Sequence, residues 1–156
     1  MSWTTPITDR TQQDIIDRTT KGFFNVADWL RIKGNIDYVK SQLDSNGYLD
    51  IPLNPLTTPT TTTIPVVSQI DDFIENIARL AQSAVIPSLV DLKYDYQGGA
   101  NEEVPDYNDV NDWENNLLRM HDDIPKAVNY RTFCGVSKCG QARLWQNRFR
   151  RNYVVY

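Results

Sequence analysis

The chain has 156 residues, 40% of them apolar, and a formal net charge of -4. That length suits one domain or two small ones, and the acidic balance argues against a nucleic-acid module, which carries a basic excess. No apolar run approaches the ~18 residues of a membrane span, and two cysteines with one histidine cannot supply a four-ligand zinc site from Cys and His alone.

Residues 1–22 read as an extended docking arm. Thr4, Thr5, Thr8 and Thr11 with Pro6 favour extended or turn backbone, and only Asp14–Arg18 hints at a helical turn. Such arms are often disordered, but Trp3, Ile7, Ile15 and Ile16 give this one apolar groups to dock, and a neighbouring subunit is the expected surface. The polar start Met-Ser-Trp-Thr-Thr-Pro lacks the basic and apolar regions of a signal peptide.

A helical domain is expected over 23–128. Its clearest helix covers about 26–44, where Trp29, Ile32, Ile36, Val39 and Leu43 are spaced 3, 4, 3 and 4 apart on one stripe. Asn25 stands at the N-cap and Asp28 three residues on, where a carboxylate favours the positive helix end. Phe24 and Trp29 have the spacing of a hydrophobic staple. Gly34 costs ~1 kcal/mol against Ala, unless a close contact wants no side chain there. Asn46-Gly47 is a strong turn signal.

Residues 50–66 carry Pro52, Pro55, Pro59 and Pro65 with a threonine run, and so predict an extended strap or linker. Ser68 opens a second helix, about 69–84, whose apolar face holds Ile70, Phe73, Ile74, Ile77, Leu80, Ala81 and Ala84; Pro87 stops it. Residues 88–96 fit a helical turn or a strand, and Gly98-Gly99 opens an exposed acidic loop. A third helix starts at Asp109 or Asn111, covers about 110–123 and ends before Pro125, with Trp113, Leu117, Met120 and Ile124 as its stripe. Asn25-Val-Ala-Asp-Trp29 and Asp109-Val-Asn-Asp-Trp113 align without a gap, either as a duplication or as two helices started by one recipe. Both readings place the tryptophans in a common layer.

The tail over 129–156 is basic and aromatic. It has no acid from Val128 onward, whereas residues 102–123 hold eight acids against Arg119 alone. The two regions read as solvated faces or as surfaces that dock on one another. Residues 141–150 fit helix or strand, and 153–156 look like a terminal strand. Arg143, Arg148 and Arg150 interleaved with Trp145, Phe149 and Tyr153 match protein interface hot spots, and could also stack on bases or sugars. The fold class expected is therefore mainly α, a bundle of about three helices packed through Trp29, Ile36, Phe73, Ile77, Trp113 and Leu117.

Reaction chemistry has little support. His121 precedes Asp122 and Asp123, but helix neighbours point about 100° apart, and a solvent-facing histidine at a helix end is the preferred reading. Nothing around Cys134 or Cys139 resembles a nucleophile elbow. The acids at 102–114 lack the glycine and glutamate of an EF-hand. No phosphate-binding glycine loop or dinucleotide fingerprint is present, so neither a cofactor nor a metal is expected.

Trp3-Thr4-Thr5-Pro6-Ile7-Thr8-Asp9-Arg10-Thr11, followed by Phe24-Asn25-Val26-Ala27-Asp28-Trp29-Leu30-Arg31-Ile32-Lys33-Gly34-Asn35-Ile36, resembles a segment in tail and baseplate-region proteins of phages and prophages of Gram-positive bacteria. There a Trp-x-Thr-Pro-x-Thr-Asp arm precedes an Asn-x-x-Asp-x-x-Arg-Ile-x-x-Asn-Ile helix. The resemblance spans about the first 40 residues. It implies a non-enzymatic structural component of a virion, assembled in the bacterial cytoplasm beside other virion proteins and copies of itself, without nucleic acid or membrane. The expected interface residues are Trp3, Pro6, Trp29, Arg143, Trp145, Arg148, Phe149, Arg150 and Tyr153. Two rivals are a tail-tip carbohydrate-binding module using Trp145, Phe149 and Tyr153, and a small enzyme centred on Cys134 or His121.

Overall fold

The structure, a computed structural model, describes residues 2–48, 51–60, 67–84 and 105–133. Among these residues there are four helices and no strand: α1 (Gln12–Ile16), α2 (Val26–Ser45), α3 (Val67–Ala84) and α4 (Tyr107–Phe133). The three long helices each touch the other two. The mainly helical bundle expected from the apolar spacing is the fold observed.

Each predicted stripe turns inward. Ile32, Ile36, Val39 and Leu43 of α2, Phe73, Ile74, Ile77 and Leu80 of α3, and Leu117 and Met120 of α4 lie at 0% exposure. Burying such a side chain is worth about 1.5–3 kcal/mol, so these stripes supply most of what holds the helices together. Trp29 meets Phe73 edge-on at 4.0 Å between ring centroids. Phe24 sits 6.1 Å from both Trp29 and Trp113, so the two tryptophans share one layer through it.

The ends of α2 follow local rules closely. Asn25 Oδ1 accepts the N–H groups of Ala27 and Asp28, and Asp28 Oδ2 accepts the Asn25 N–H, a capping box. At the far end Gly47, at φ +82°, donates to Asp44 O and Tyr48 donates to Leu43 O. This is a Schellman closure, which needs the left-handed backbone that glycine adopts freely. Gly34 has no neighbour within 4 Å of where a Cβ would stand, so no close contact explains it.

The other helices depart from their expected ends. α3 already includes Val67, so Ser68 lies inside it and does not cap it. α4 begins one turn before the expected start. Asp106 accepts the N–H groups of Asn108 and Asp109, while Asp109 Oδ2 accepts the Asp106 N–H. That reciprocal box satisfies the first free donors of the helix. Trp29 is thus the fourth residue of its helix but Trp113 the seventh, so the two starts do not correspond as aligned. α4 also runs through Pro125 to Phe133. A proline's φ is close to helical, so it forfeits one hydrogen bond and crowds one carbonyl, and the buried Ile124 beside it holds the helix in place.

Over its described part, 51–60, the strap has neither helix nor strand, and it is tied to α3 through Asn76 and Arg79. Ile51 is buried, and Leu53 and Leu56 pack on the core. The Asn76 side chain, at 0% exposure, accepts the Asn54 N–H at 2.7 Å and donates to the Asn54 carbonyl at 3.0 Å. Trp29 Nε1 donates to Thr57 O at 3.0 Å, and Arg79 donates to Pro52 O at 2.8 Å.

Candidate functional site

The segment 2–11 is seated on α2 and α4 of its own chain, where a neighbour's surface was expected. Trp3 stacks on His121 at 4.2 Å, with ring planes 17° apart, and leans on Tyr38 at 5.5 Å. Asn35 of α2 grips Thr4, accepting its N–H at 3.0 Å and donating to its carbonyl at 2.8 Å. Ile7 N–H donates to Glu114 Oε2 at 2.7 Å. Asn111 of α4 grips Arg10 as Asn35 grips Thr4, at 3.1 and 2.9 Å. The gripped residues are three apart, the repeat of a polyproline-type chain, with Pro6 between the first two.

This binding mode follows from the geometry of asparagine. A carboxamide presents an acceptor and a donor side by side, the pairing that a β-ladder neighbour would offer. An extended segment crossing a helix cannot form backbone pairs with it, because the helix has used its own groups internally. Asn35, Asn76 and Asn111 supply those pairs from side chains.

Arg10 then enters a buried charge cluster. Its Nη2 donates to Asp28 Oδ1 at 2.9 Å and Glu114 Oε1 at 2.7 Å, and its Nη1 donates to the Ile7 carbonyl. Arg31 takes Glu114 in a two-point grip, Nε to Oε2 at 2.9 Å and Nη2 to Oε1 at 2.7 Å, and also donates to Asp28. The side chains of Arg10, Asp28 and Glu114 are 2%, 4% and 0% exposed. Burial opposes the Arg31 charge, but the carboxylates of Glu114 and Asp28 outweigh it and hold the guanidinium above its ordinary value. Two cations face two anions, so the cluster is charge-balanced only with Arg10 in place. Arg10 Nε alone among the described buried side-chain polar atoms has no hydrogen-bond partner.

The arrangement is built for holding. Both buried carboxylates are engaged by guanidinium groups and by backbone or cap donors, leaving neither placed to accept a proton from a substrate. An open depression of about 480 Å³ lies outside, lined by Ile7, Asp9, Lys21, Asn25, Asp28 and Arg31 among others, with the Lys21–Asp9 pair at 2.8 Å on its wall. Among the described residues no group of three His, Cys, Asp or Glu side chains could hold a metal ion, and no helix is long and apolar enough to cross a membrane.

The residues expected at interfaces fare differently. Trp3 and Pro6 lie half-buried on their own bundle. Trp29 is 1% exposed and belongs to the core, so it is corrected from an interface to a packing residue. His121 is corrected in part: it lies within α4 rather than at its end, with one ring face on Trp3, while its side chain stays 33% exposed and its Nδ1 meets Asp122 Oδ1 at 2.9 Å. Arg143, Trp145, Arg148, Phe149, Arg150 and Tyr153 lie outside the described residues, as do Cys134, Cys139 and the tail's helix-or-strand alternatives. Sequence reasoning missed Arg10, Arg31, Asn35, Asn111 and Glu114 as a set. One signal was present: Asp28, Arg31 and Asn35 follow each other by 3 and 4, a polar stripe beside the apolar one. No family model, curated protein or solved structure matches the chain.

Proposed function

We propose that this protein is a non-enzymatic structural component of a phage or phage-like virion, of the tail or baseplate region, acting by docking between subunits. What supports the reading is the job done by the residues that carry the resemblance. In the pattern Asn-x-x-Asp-x-x-Arg-Ile-x-x-Asn-Ile, Asn25 caps α2, Asp28 and Arg31 build the charge cluster, Asn35 grips the arm, and Ile32 and Ile36 are core. Trp3 and Pro6 of the arm pattern lie in the segment that is gripped. The resemblance is thus one of a mechanical device, an arm latched to a helix, rather than of a reaction site. Partners on this reading are other virion proteins and further copies of the chain.

The test is genetic and structural. Deleting the gene from the phage or prophage that carries it should give particles with absent or truncated tails, restored by the gene in trans. Complete, infectious particles made without the protein would overturn the proposal, and so would a gene neighbourhood made of metabolic enzymes.

A further inference from the structure

We propose that the segment 2–11 is an exchangeable latch, which in the assembled form occupies the α2/α4 seat of a second copy of this chain. The inference rests on the proposed structural role in one respect, that the chain works in more than one copy.

The joint between the latch and α2 carries the argument. Residues 12–25 contain α1, which contributes no buried residue. The joint is folded mainly upon itself, with Thr19 N donating to Asp14 O at 3.0 Å and Gly22 N to Thr19 O at 3.1 Å. A Cβ on Gly22 would stand 2.3 Å from Asp14 O, so this fold tolerates no side chain there. Arg18 adopts φ 51°, a left-handed conformation that is costly for a non-glycine residue. Phe24 packs on the core and Asn25 caps α2, so the hinge is residues 12–23, which can open without removing a buried residue, and opening relieves a strained residue. Twelve residues extended reach about 40 Å, enough to carry the latch to an adjoining bundle.

The exposed apolar groups are found at the same place. Among the described residues the large hydrophobics exposed to solvent are Ile15 at 37%, Ile16 at 64%, Phe23 at 47% and Leu30 at 45%. All four belong to the joint or to the first turns of α2. A closed single chain leaves them in water. Two chains exchanging latches bring their joints together and give these side chains a surface to cover, which is how exchange gains over the closed form while every seat contact is kept.

The seat itself selects a copy of this segment. Without a guanidinium between them, Asp28 and Glu114 are left with Arg31 alone, an excess negative charge in a site almost closed to water. An occupant must supply that cation and also present backbone groups three and six residues before it to Glu114 and Asn35. Arg10, Ile7 and Thr4 do so in register.

The test uses the full chain with benzoylphenylalanine in place of Trp3, mixed from ¹⁵N-labelled and unlabelled protein unfolded and refolded together. After irradiation, exchange predicts crosslinked peptides that join a light position 3 to a heavy α2 or α4, and a covalent dimer on a denaturing gel. Ile16→Asp combined with Phe23→Asp, which leaves the seat intact, should weaken dimerisation by roughly a hundredfold. Light–light and heavy–heavy crosslinks alone, or a monomer at all concentrations by light scattering, would overturn the exchange. Those results would leave the virion assignment standing, whereas complete particles without the protein would remove that assignment and not the exchange.

Discussion

Glu114→Gln is the most informative single change. Glu114 is at 0% exposure and accepts four hydrogen bonds of 2.7–2.9 Å, two from Arg31, one from Arg10 and one from the Ile7 N–H. Glutamine keeps the shape, but leaves two guanidinium groups facing Asp28 alone and turns a donor toward donors. Breaking a buried pair on one side costs about 3–5 kcal/mol, because the remaining charge stays buried and unmatched. A domain of this size has only about 5–15 kcal/mol in all. At about 2–4 °C per kcal/mol, the melting temperature should fall by roughly 6–20 °C. Glu75→Gln is the control: its pair with Arg79 at 2.6 Å is on the surface, with the carboxylate side chain 48% exposed. Exposed pairs contribute at most about 1 kcal/mol. Urea denaturation followed by circular dichroism, with both variants at one pH and salt, decides the matter. If Glu114→Gln lost no more than Glu75→Gln, the cluster would not be the closed, balanced site described above.

Gly34→Ala should stabilise the protein by about 1 kcal/mol, since helix propensity improves and no atom stands in the way; a loss in thermal denaturation would mean an unseen contact there. Asn76→Ala should cost about 1–3 kcal/mol, by stranding the N–H and carbonyl of Asn54, and should raise protease sensitivity within 51–60 before it affects the helices. Asp112 has its carboxyl raised above the ordinary value by burial and by Asp109 and Asp106. A raised carboxyl opposes folding when ionised, and that penalty disappears as pH falls through the folded pKa towards the unfolded one. Asp112→Asn should therefore stabilise at pH 7 and make no difference in strong acid; equal stability of the two proteins at both pH values would refute the assignment.

Features that depend on near neighbours were legible in the sequence. The stripes through Trp29 and Ile36, through Phe73 and Ile77, and through Trp113 and Leu117 follow from helical periodicity, and Asn25 with Asp28 and Gly47 mark the ends of α2 by local hydrogen bonding. The start of α4 was harder because Asp106 and Asp109 each have an aspartate three residues on and so compete for one role, and the box that forms is the one between Asp106 and Asp109. The arm's seat was not legible. Its contacts join Arg10 and Ile7 to Asn111 and Glu114 across more than 100 residues, and the polar stripe Asp28, Arg31, Asn35 does not tell which residues of a distant segment meet it. Arg10 looked like one more polar residue of an arm, and Glu114 like one more acid in a solvated run.

Amide hydrogen exchange along the arm tests the central claim most directly, because the seat grips the N–H of every third residue. Thr4, Ile7 and Arg10 donate to Asn35, Glu114 and Asn111, so their N–H groups should exchange slowly in the intact protein. Those of Thr5 and Thr8 should exchange fast. Arg10→Ala should release all three slow amides together while α2 and α4 keep their protection. Uniformly fast exchange from Thr4 to Arg10 in the unaltered chain would contradict the latch.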